Sequence, residues 1–350
     1  MHKVRIAVAG AGSIGRRHIE EIGRSDAATL SAIVDVAPQA ADLAQSLRVP
    51  CFTSLAEVIA RARPGGIVLA TPNQLHAAQG LECIAAGIPT LVEKPIAHSY
   101  AEGLRLTEAA EASGVPVLVG HHRLHSPILR KAVEIVRSGV LGKIVGVLGS
   151  AVFYKPDSEG YYDGANAWRR EPGGGPILLN MIHEIGNLRA MVGEIVAVQA
   201  FASSATRNFA VEDTVAISMK FANGALGSFL LSDTAVSPKS WEQTSRENTS
   251  YATYDEDAYT IMGNRGSLGV PTMRLTRYER DDDRSWFKPF STSRFDVDRT
   301  DPLANQIAHF AQVIRGDAQP LVTARDGLAN LRVTDAIVEA ARSGRTVETI

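Results

Sequence analysis

Cysteine is all but missing from this chain: Cys51 and Cys83 are the only two in 350 residues. Two thiols make no disulfide scaffold, and their spacing fits no metal-ligand motif, so a reducing compartment is the default and a cytoplasmic location the expectation. Long apolar runs are missing as well. No segment approaches the roughly 18 uncharged apolar residues of a membrane span, which excludes a spanning helix. The opening MHKVRIAVAGAG is basic and then apolar, but its apolar run is too short for a secretory signal and leads straight into a glycine turn. Nor is there a surplus of positive charge: 36 Lys and Arg stand against 38 Asp and Glu, a formal net charge of −2. Nucleic acid and anionic membrane surfaces are therefore not expected partners.

What is present is the composition of a globular enzyme, 45% hydrophobic and 21% charged. The length exceeds what one hydrophobic core supports, so two domains are expected. Short β-type runs alternate with helical ones up to about residue 122. Strands are expected at Val4–Ala9, Leu30–Val34, Gly66–Ala70, Thr90–Val92 and Val117–Val119, with helices at Ile14–Ile22, Pro38–Leu47, Gln74–Ala86 and Tyr100–Ala112. Such alternation builds a doubly wound parallel sheet covered on both faces. The rhythm changes after Arg123. Helix Pro127–Ser138, strand Ile144–Tyr154 and an apolar helix Ile177–Val192 precede five strand-like runs between Val196 and Tyr278 without intervening helices. The expectation is an α+β domain with a large, mostly antiparallel open sheet. Helices Pro302–Arg315 and Arg325–Ser343 close the chain, while the polar stretches Ser237–Glu256 and Asp281–Asp298 read as mobile surface loops. The division is thus 1–122 and 123–350, with the C-terminal helix packing back on the first domain.

Gly10-Ala11-Gly12-Ser13-Ile14-Gly15 is a G-x-G-x-x-G that follows a β-type run and opens a helix, the context a dinucleotide-binding Rossmann turn requires. Gly10 permits the tight turn, Gly12 lets the backbone approach a pyrophosphate, and Gly15 allows close helix–strand packing. The free N–H groups from Gly12 through Ser13 and Ile14, at the positive end of the helix, suit phosphate. Asp35 stands 20 residues after Gly15, at the end of the second strand, placed to accept ribose hydroxyls. A 2′-phosphate would be repelled there, so NAD is expected rather than NADP. Two further strand ends lie on the same edge, where ligands bind in such sheets. One carries Thr71-Pro72-Asn73, with His76 in the next turn; the other carries Glu93-Lys94-Pro95.

These residues, together with a later Gly173-Gly174-Gly175 and His183, resemble the glucose–fructose oxidoreductase/inositol dehydrogenase/MocA-type family of NAD(P)-dependent oxidoreductases. The resemblance spans nearly the whole chain, including Asn305–Arg315, Pro320-Leu321-Val322 and the helix from Arg325. It implies a Rossmann domain followed by an α/β domain whose sheet pairs subunits, giving a homodimer or homotetramer. It also implies hydride transfer between nicotinamide and a secondary alcohol or ketone of a sugar, cyclitol or related polyol. By the same resemblance Lys94 and His183 are the catalytic pair, Lys94 also touching the cofactor with Glu93. Arg123, Trp168 and Arg169 match positions lining the cofactor or the cleft.

One departure stands out. Where the family commonly carries an Asp four residues before the histidine, this chain has Leu179. Asn180, three residues before His183, is the nearest polar group, and both spacings share an α-helical face. An amide is no general base, however. Glu184 lies about 100° round a helix from His183 and is not read as a substitute.

The expected chemistry follows from reference titration behaviour. Loss of hydride from a carbinol carbon requires loss of the hydroxyl proton, and an imidazole near ~6.5 suits the base, whereas a lysine near ~10.4 suits stabilisation of the alkoxide. His122, Tyr154, Asn180 and His183 are candidate substrate contacts. Tyr161, Tyr162, Trp168 and Arg169 fit either polyol recognition or a lid or interface patch. His121, His122 and His125 lack the carboxylate or thiolate company of a metal site, and no metal is expected. Two other functions share these residues: a lyase or glycosidase retaining NAD for transient oxidation, and a non-catalytic NAD(H)-binding regulator.

Overall fold

The computed structural model describes residues 2–349, which form two compact units. The first runs up to His125 and takes back Asp301–Leu331; the second comprises Ser126–Thr300 and the chain from Arg332.

The first unit holds six strands: β1 Val4–Ala9, β2 Ala28–Val34, β3 Cys51–Phe52, β4 Gly66–Leu69, β5 Thr90–Val92 and β6 Val117–Val119. They lie in the order β3-β2-β1-β4-β5-β6, every pairing parallel, the strand order of a dinucleotide-binding α/β sheet. Strand side chains alternate between two apolar layers. Ala7, Ala9, Ile67, Leu69 and Val92 face one; Ile6, Val8, Ile33, Val68 and Leu91 face the other. A sheet buried on both sides needs helices on both sides. They are α1 Ser13–Arg24, α2 Pro38–Ser46, the short α3 Leu55–Glu57, α4 Asn73–Ala85 and α5 Tyr100–Ser113. Helix α9 (Pro302–Arg315) adds Ile307, Phe310 and Val313 to the layer that holds Ile19 and Ile22 of α1. The strand β3 was not expected, because two residues carry no period.

The second unit contains a nine-stranded sheet in the order β14-β13-β12-β11-β7-β10-β9-β8-β15. Its strands are β7 Ile144–Val152, β8 Ile195–Ser203, β9 Thr214–Phe221, β10 Leu226–Ser232, β11 Tyr259–Gly263, β12 Gly266–Val270, β13 Arg274–Arg277, β14 Ser291–Arg294 and β15 Val347–Glu348. All pairings are antiparallel except β7 with β10. The helices are α6 Pro127–Arg137, α7 Ile182–Val192 and α8 Trp241–Thr244, and α10 (Ala324–Ser343) begins in the first unit and ends in the second.

Two expectations about loops need correction. Asp281–Asp298 contains β14, a Ser-Thr-Ser-Arg edge strand on β13 whose polar faces leave no apolar alternation to read. Ser237–Glu256 is anchored: Ser240 caps α8, Trp241 is buried, and its Nε1 donates to Glu247 at 2.9 Å.

Candidate active site

In the first unit, the carboxyl ends of β1, β4 and β5 lie side by side, and each carries one of the signals read from the sequence. After β1, Gly10 has φ +89°, and a Cβ on it would sit 2.5 Å from the carbonyl oxygen of Ala70. At Gly15 an added Cβ would lie 1.9 Å from the oxygen of Gly10, so the turn closes against α1 only without side chains. Gly12 differs: nothing lies within 4 Å of the place its Cβ would occupy. It is the N-cap of α1, with no side-chain cap and no acid in the first turn. Exposed Gly12, Ser13 and Ile14 thus leave the positive helix end open. An open helix N-terminus beside a bare backbone fits a pyrophosphate.

Asp35 ends β2 and is tied into this turn. Its Oδ2 accepts from Ala11 N at 2.6 Å and its Oδ1 from Ala37 N at 2.8 Å. Each oxygen keeps a second lone pair, so the carboxylate braces the loop and retains capacity for ribose hydroxyls.

The turn after β4 is also internally braced. Thr71 donates its hydroxyl to Gln79 Oε1 at 2.6 Å, and Pro72 and Asn73 start α4. His76 is buried, its Nδ1 2.8 Å from the oxygen of Pro95 and its Nε2 2.9 Å from that of Thr71. It thereby links the β4 and β5 turns through their backbones.

Glu93 and Lys94 follow β5. Buried Glu93 meets the fully buried His18 of α1, Nε2 to Oε1 at 2.7 Å, while its Oε2 accepts from Lys94 N at 3.1 Å. Burial alone would push the Glu93 carboxyl up. The His18 hydrogen bond, with the charges of His18, Lys94 and His122, outweighs it and holds the carboxyl well below its usual range, at about 2. His18 escaped the sequence reading. Its signal is its place one turn beyond Gly15 on the buried face of α1.

The histidines after β6 are occupied separately. His121 Nε2 lies 3.1 Å from Asn330 Nδ2, and His125 packs against the His309 ring, centroids 5.1 Å apart. Desolvation of His122, reinforced by the neighbouring Arg123 charge, pushes its imidazole down to about 4, so it is neutral at pH 7. Arg123 itself is buried. Among the described residues no three His, Cys, Asp or Glu side chains converge as metal ligands.

In the second unit, the stretch read as one apolar α-helix begins with π-type turns over Ile177–Met181 and becomes α-helical only at Ile182. The α-helical spacing used for Leu179, Asn180 and His183 therefore does not hold across this start. Asn180 Oδ1 accepts from Lys155 Nζ at 2.5 Å. His183 is buried at 8% exposure, and Glu184, fully buried, accepts from the Tyr259 hydroxyl. Glu184, set aside on helix geometry, lines the same cavity as Asn180, with Lys155, Ser232, Asp233 and Glu242.

Lys155, Asp233 and Glu242 were also not singled out. Asp233 ends β10, binds Arg207 Nε at 3.2 Å and accepts from the Tyr162 hydroxyl. Burial, then Asp233, pushes the Tyr162 phenol up. Tyr162 is therefore a buried structural ring, whereas Tyr154 and Trp168 are exposed at 46% and 49%. Arg169 lies over the Tyr161 ring at 4.1 Å and donates to the Tyr161 carbonyl at 3.2 Å.

Residues 4–121 match an oxidoreductase family with an NAD-binding Rossmann fold, and residues 133–349 match that family's C-terminal alpha/beta domain. The chain belongs to this family. It is 25% identical to a 1,5-anhydro-D-fructose reductase of Ensifer adhaerens over 85% of the chain and 83% of that protein. Inositol 2-dehydrogenase of Rubrobacter xylanophilus is 26% identical over 99% of the chain and 94% of its own length. The WlbA dehydrogenase of Bordetella pertussis, solved with NADH and UDP-GlcNAcA, superposes with a TM-score of 0.77 at 26% identity, covering 99% of each chain. Among the described residues no helix is long and apolar enough to cross a membrane.

Proposed function

We propose that this protein moves hydride between NAD(H) and a secondary alcohol of a sugar, cyclitol or related polyol. The observation that carries the reading is the placement of Lys94, fixed through Glu93 and His18, on the same sheet edge as the open glycine turn. Bound NAD would supply the hydride acceptor for alcohol oxidation. Gly12, Ser13 and Ile14 hold the phosphates, Asp35 the ribose, and the Thr71–Asn73 turn borders the ligand, with His76 acting indirectly by joining that turn to Pro95. Lys94 stabilises the alkoxide, and His183 takes the hydroxyl proton. His122, Tyr154 and Asn180 contribute to substrate binding, and Arg123, Trp168 and Arg169 to the surroundings of the cofactor. The thiols Cys51 and Cys83 are unpaired, in keeping with a reducing cytoplasm.

The test is NADH absorbance across a panel of polyols, sugars and sugar acids, run with NAD and with NADP. Stoichiometric NADH is expected, with kcat/KM at least roughly tenfold higher for NAD, since Asp35 faces a 2′-phosphate with like charge. Equal use of both cofactors would refute the role of Asp35. Turnover without net NADH would indicate transient oxidation, and binding without turnover a regulator.

A homo-oligomer is also proposed, formed on the outer face of the nine-stranded sheet. Leu148, Phe201, Leu226 and Leu230 are exposed there at 55%, 73%, 63% and 45%. The register places them together: Leu148 is opposite Ser228, while Leu230 and Phe201 both pair with Ala216. An apolar row of this kind marks an interaction surface. Sedimentation should show a dimer or tetramer that Phe201→Glu with Leu226→Glu shifts towards monomer; a monomeric wild type would reject the surface.

A further inference from the structure

The cavity beside the carboxyl ends of β7 and β10 contains a lysine with an unusual set of partners. Lys155 is 5% exposed, yet its ammonium has no carboxylate within 4.0 Å among the described residues. It donates instead to two neutral oxygens, Tyr161 Oη at 2.9 Å and Asn180 Oδ1 at 2.5 Å, and lies 4.4 Å from the centroid of the Tyr161 ring. An ammonium carries three N–H donors, so one is left for whatever enters the cavity. Burial pushes Lys155 down to about 8, against the opposing pull of Asp233 and Glu242.

The rest of the wall determines which ligand suits that donor. Glu184, Asp233 and Glu242 all line the cavity, and Ser232 adds a hydroxyl. Carboxylates outnumber the ammonium three to one, so an entering anion meets like charge on several sides. A hydroxyl suits both kinds of group, because it accepts from an ammonium and donates to a carboxylate.

We infer that this cavity is a subsite for adjacent hydroxyls of an uncharged polyol, with Lys155 as the donor and Glu242 as an acceptor, and that it discriminates against sugar acids. The inference deepens the proposed polyol reading and rests on it for the nature of the ligand. Neutral rings are selected not by apolar contact but by a mixed wall of one ammonium and several carboxylates.

The decisive measurement is calorimetric binding of myo-inositol, D-glucose and D-glucuronate to the NADH-loaded protein, alongside turnover. Wild type should bind a neutral member at least roughly tenfold more tightly than D-glucuronate. Lys155→Met should weaken neutral binding by roughly tenfold or more, the loss of a charged hydrogen bond, while NADH affinity stays unchanged. Glu242→Gln, at a half-buried position, should narrow the preference against D-glucuronate by a similar factor. Tighter binding of D-glucuronate by wild type, unchanged neutral binding in a folded Lys155→Met, or no neutral binding at all would each overturn the inference. Turnover with unaltered Lys155→Met binding would sink the subsite and leave the dehydrogenase reading intact. Lys155-dependent binding without NADH formation would do the reverse.

Discussion

Replacing Lys94 with methionine is expected to lower kcat by roughly a thousandfold, the scale of losing a charge that stabilises a developing alkoxide. NADH affinity should stay within about threefold, because the phosphate and ribose contacts belong to other turns. Lys94 ends β5 on the same edge as the glycine turn, and its backbone N donates to Glu93, itself held by buried His18. The cationic head is therefore carried on a fixed stem, which is what preorganisation requires. Methionine keeps the length and removes only the charge and donors, so the main chain about Glu93 should be preserved. Lys94→Arg restores the charge in a planar fork too broad for a point-charge role, and little activity should return. Single-turnover NADH absorbance, with NADH binding followed by fluorescence, measures both quantities. Near-normal turnover in Lys94→Met, with cofactor bound, would remove Lys94 from the chemistry.

The first unit was legible because its signals are local. Gly10, Gly12 and Gly15 lie within one turn, Asp35 follows by a fixed spacing, and buried strands such as Val4–Ala9 are apolar throughout. His18 was missed because a lone histidine on a helix has no sequence mark of its partner Glu93, 75 residues away. The second unit hid more. The π-type turns at Ile177–Met181 shift the side chains that an α-helical period would place, so the relation of Asn180 to His183 was misread and Glu184 dismissed. Lys155 reads as an ordinary lysine at the end of a strand. Its meaning comes from Asn180, 25 residues on, and from Asp233 at the end of β10, which only the parallel pairing with β7 brings near. Spacing arguments reach across one helix turn or one strand; they do not reach across a sheet whose neighbours are far apart in sequence.

The glycine turn supplies a second large effect, and a contrast that separates folding from binding. Gly15→Ala should lower the Tm of the protein by roughly 5–10 °C, because its Cβ would lie 1.9 Å from the oxygen of Gly10 and backbone must move to admit it. The better helix propensity of alanine offsets only about 1 kcal/mol of that strain. Distortion at Gly10 also displaces Ala11, whose N–H holds Asp35, so NADH binding should fall with stability. Gly12→Ala should behave differently. The backbone at Gly12 has φ −71° and ψ −166°, which any residue adopts, and no atom lies within 4 Å of the added Cβ. Its Tm should therefore match wild type, yet NADH affinity should fall by roughly 10- to 100-fold, the cost of losing a charged hydrogen bond to a phosphate held off the backbone. Thermal melts with and without NADH would show both changes. In Gly15→Ala the unliganded melt moves; in Gly12→Ala only the increment added by NADH disappears. If Gly12→Ala bound NADH as wild type does, the open space at the head of α1 would not be where the pyrophosphate lies, and the reading of this turn would fall with it.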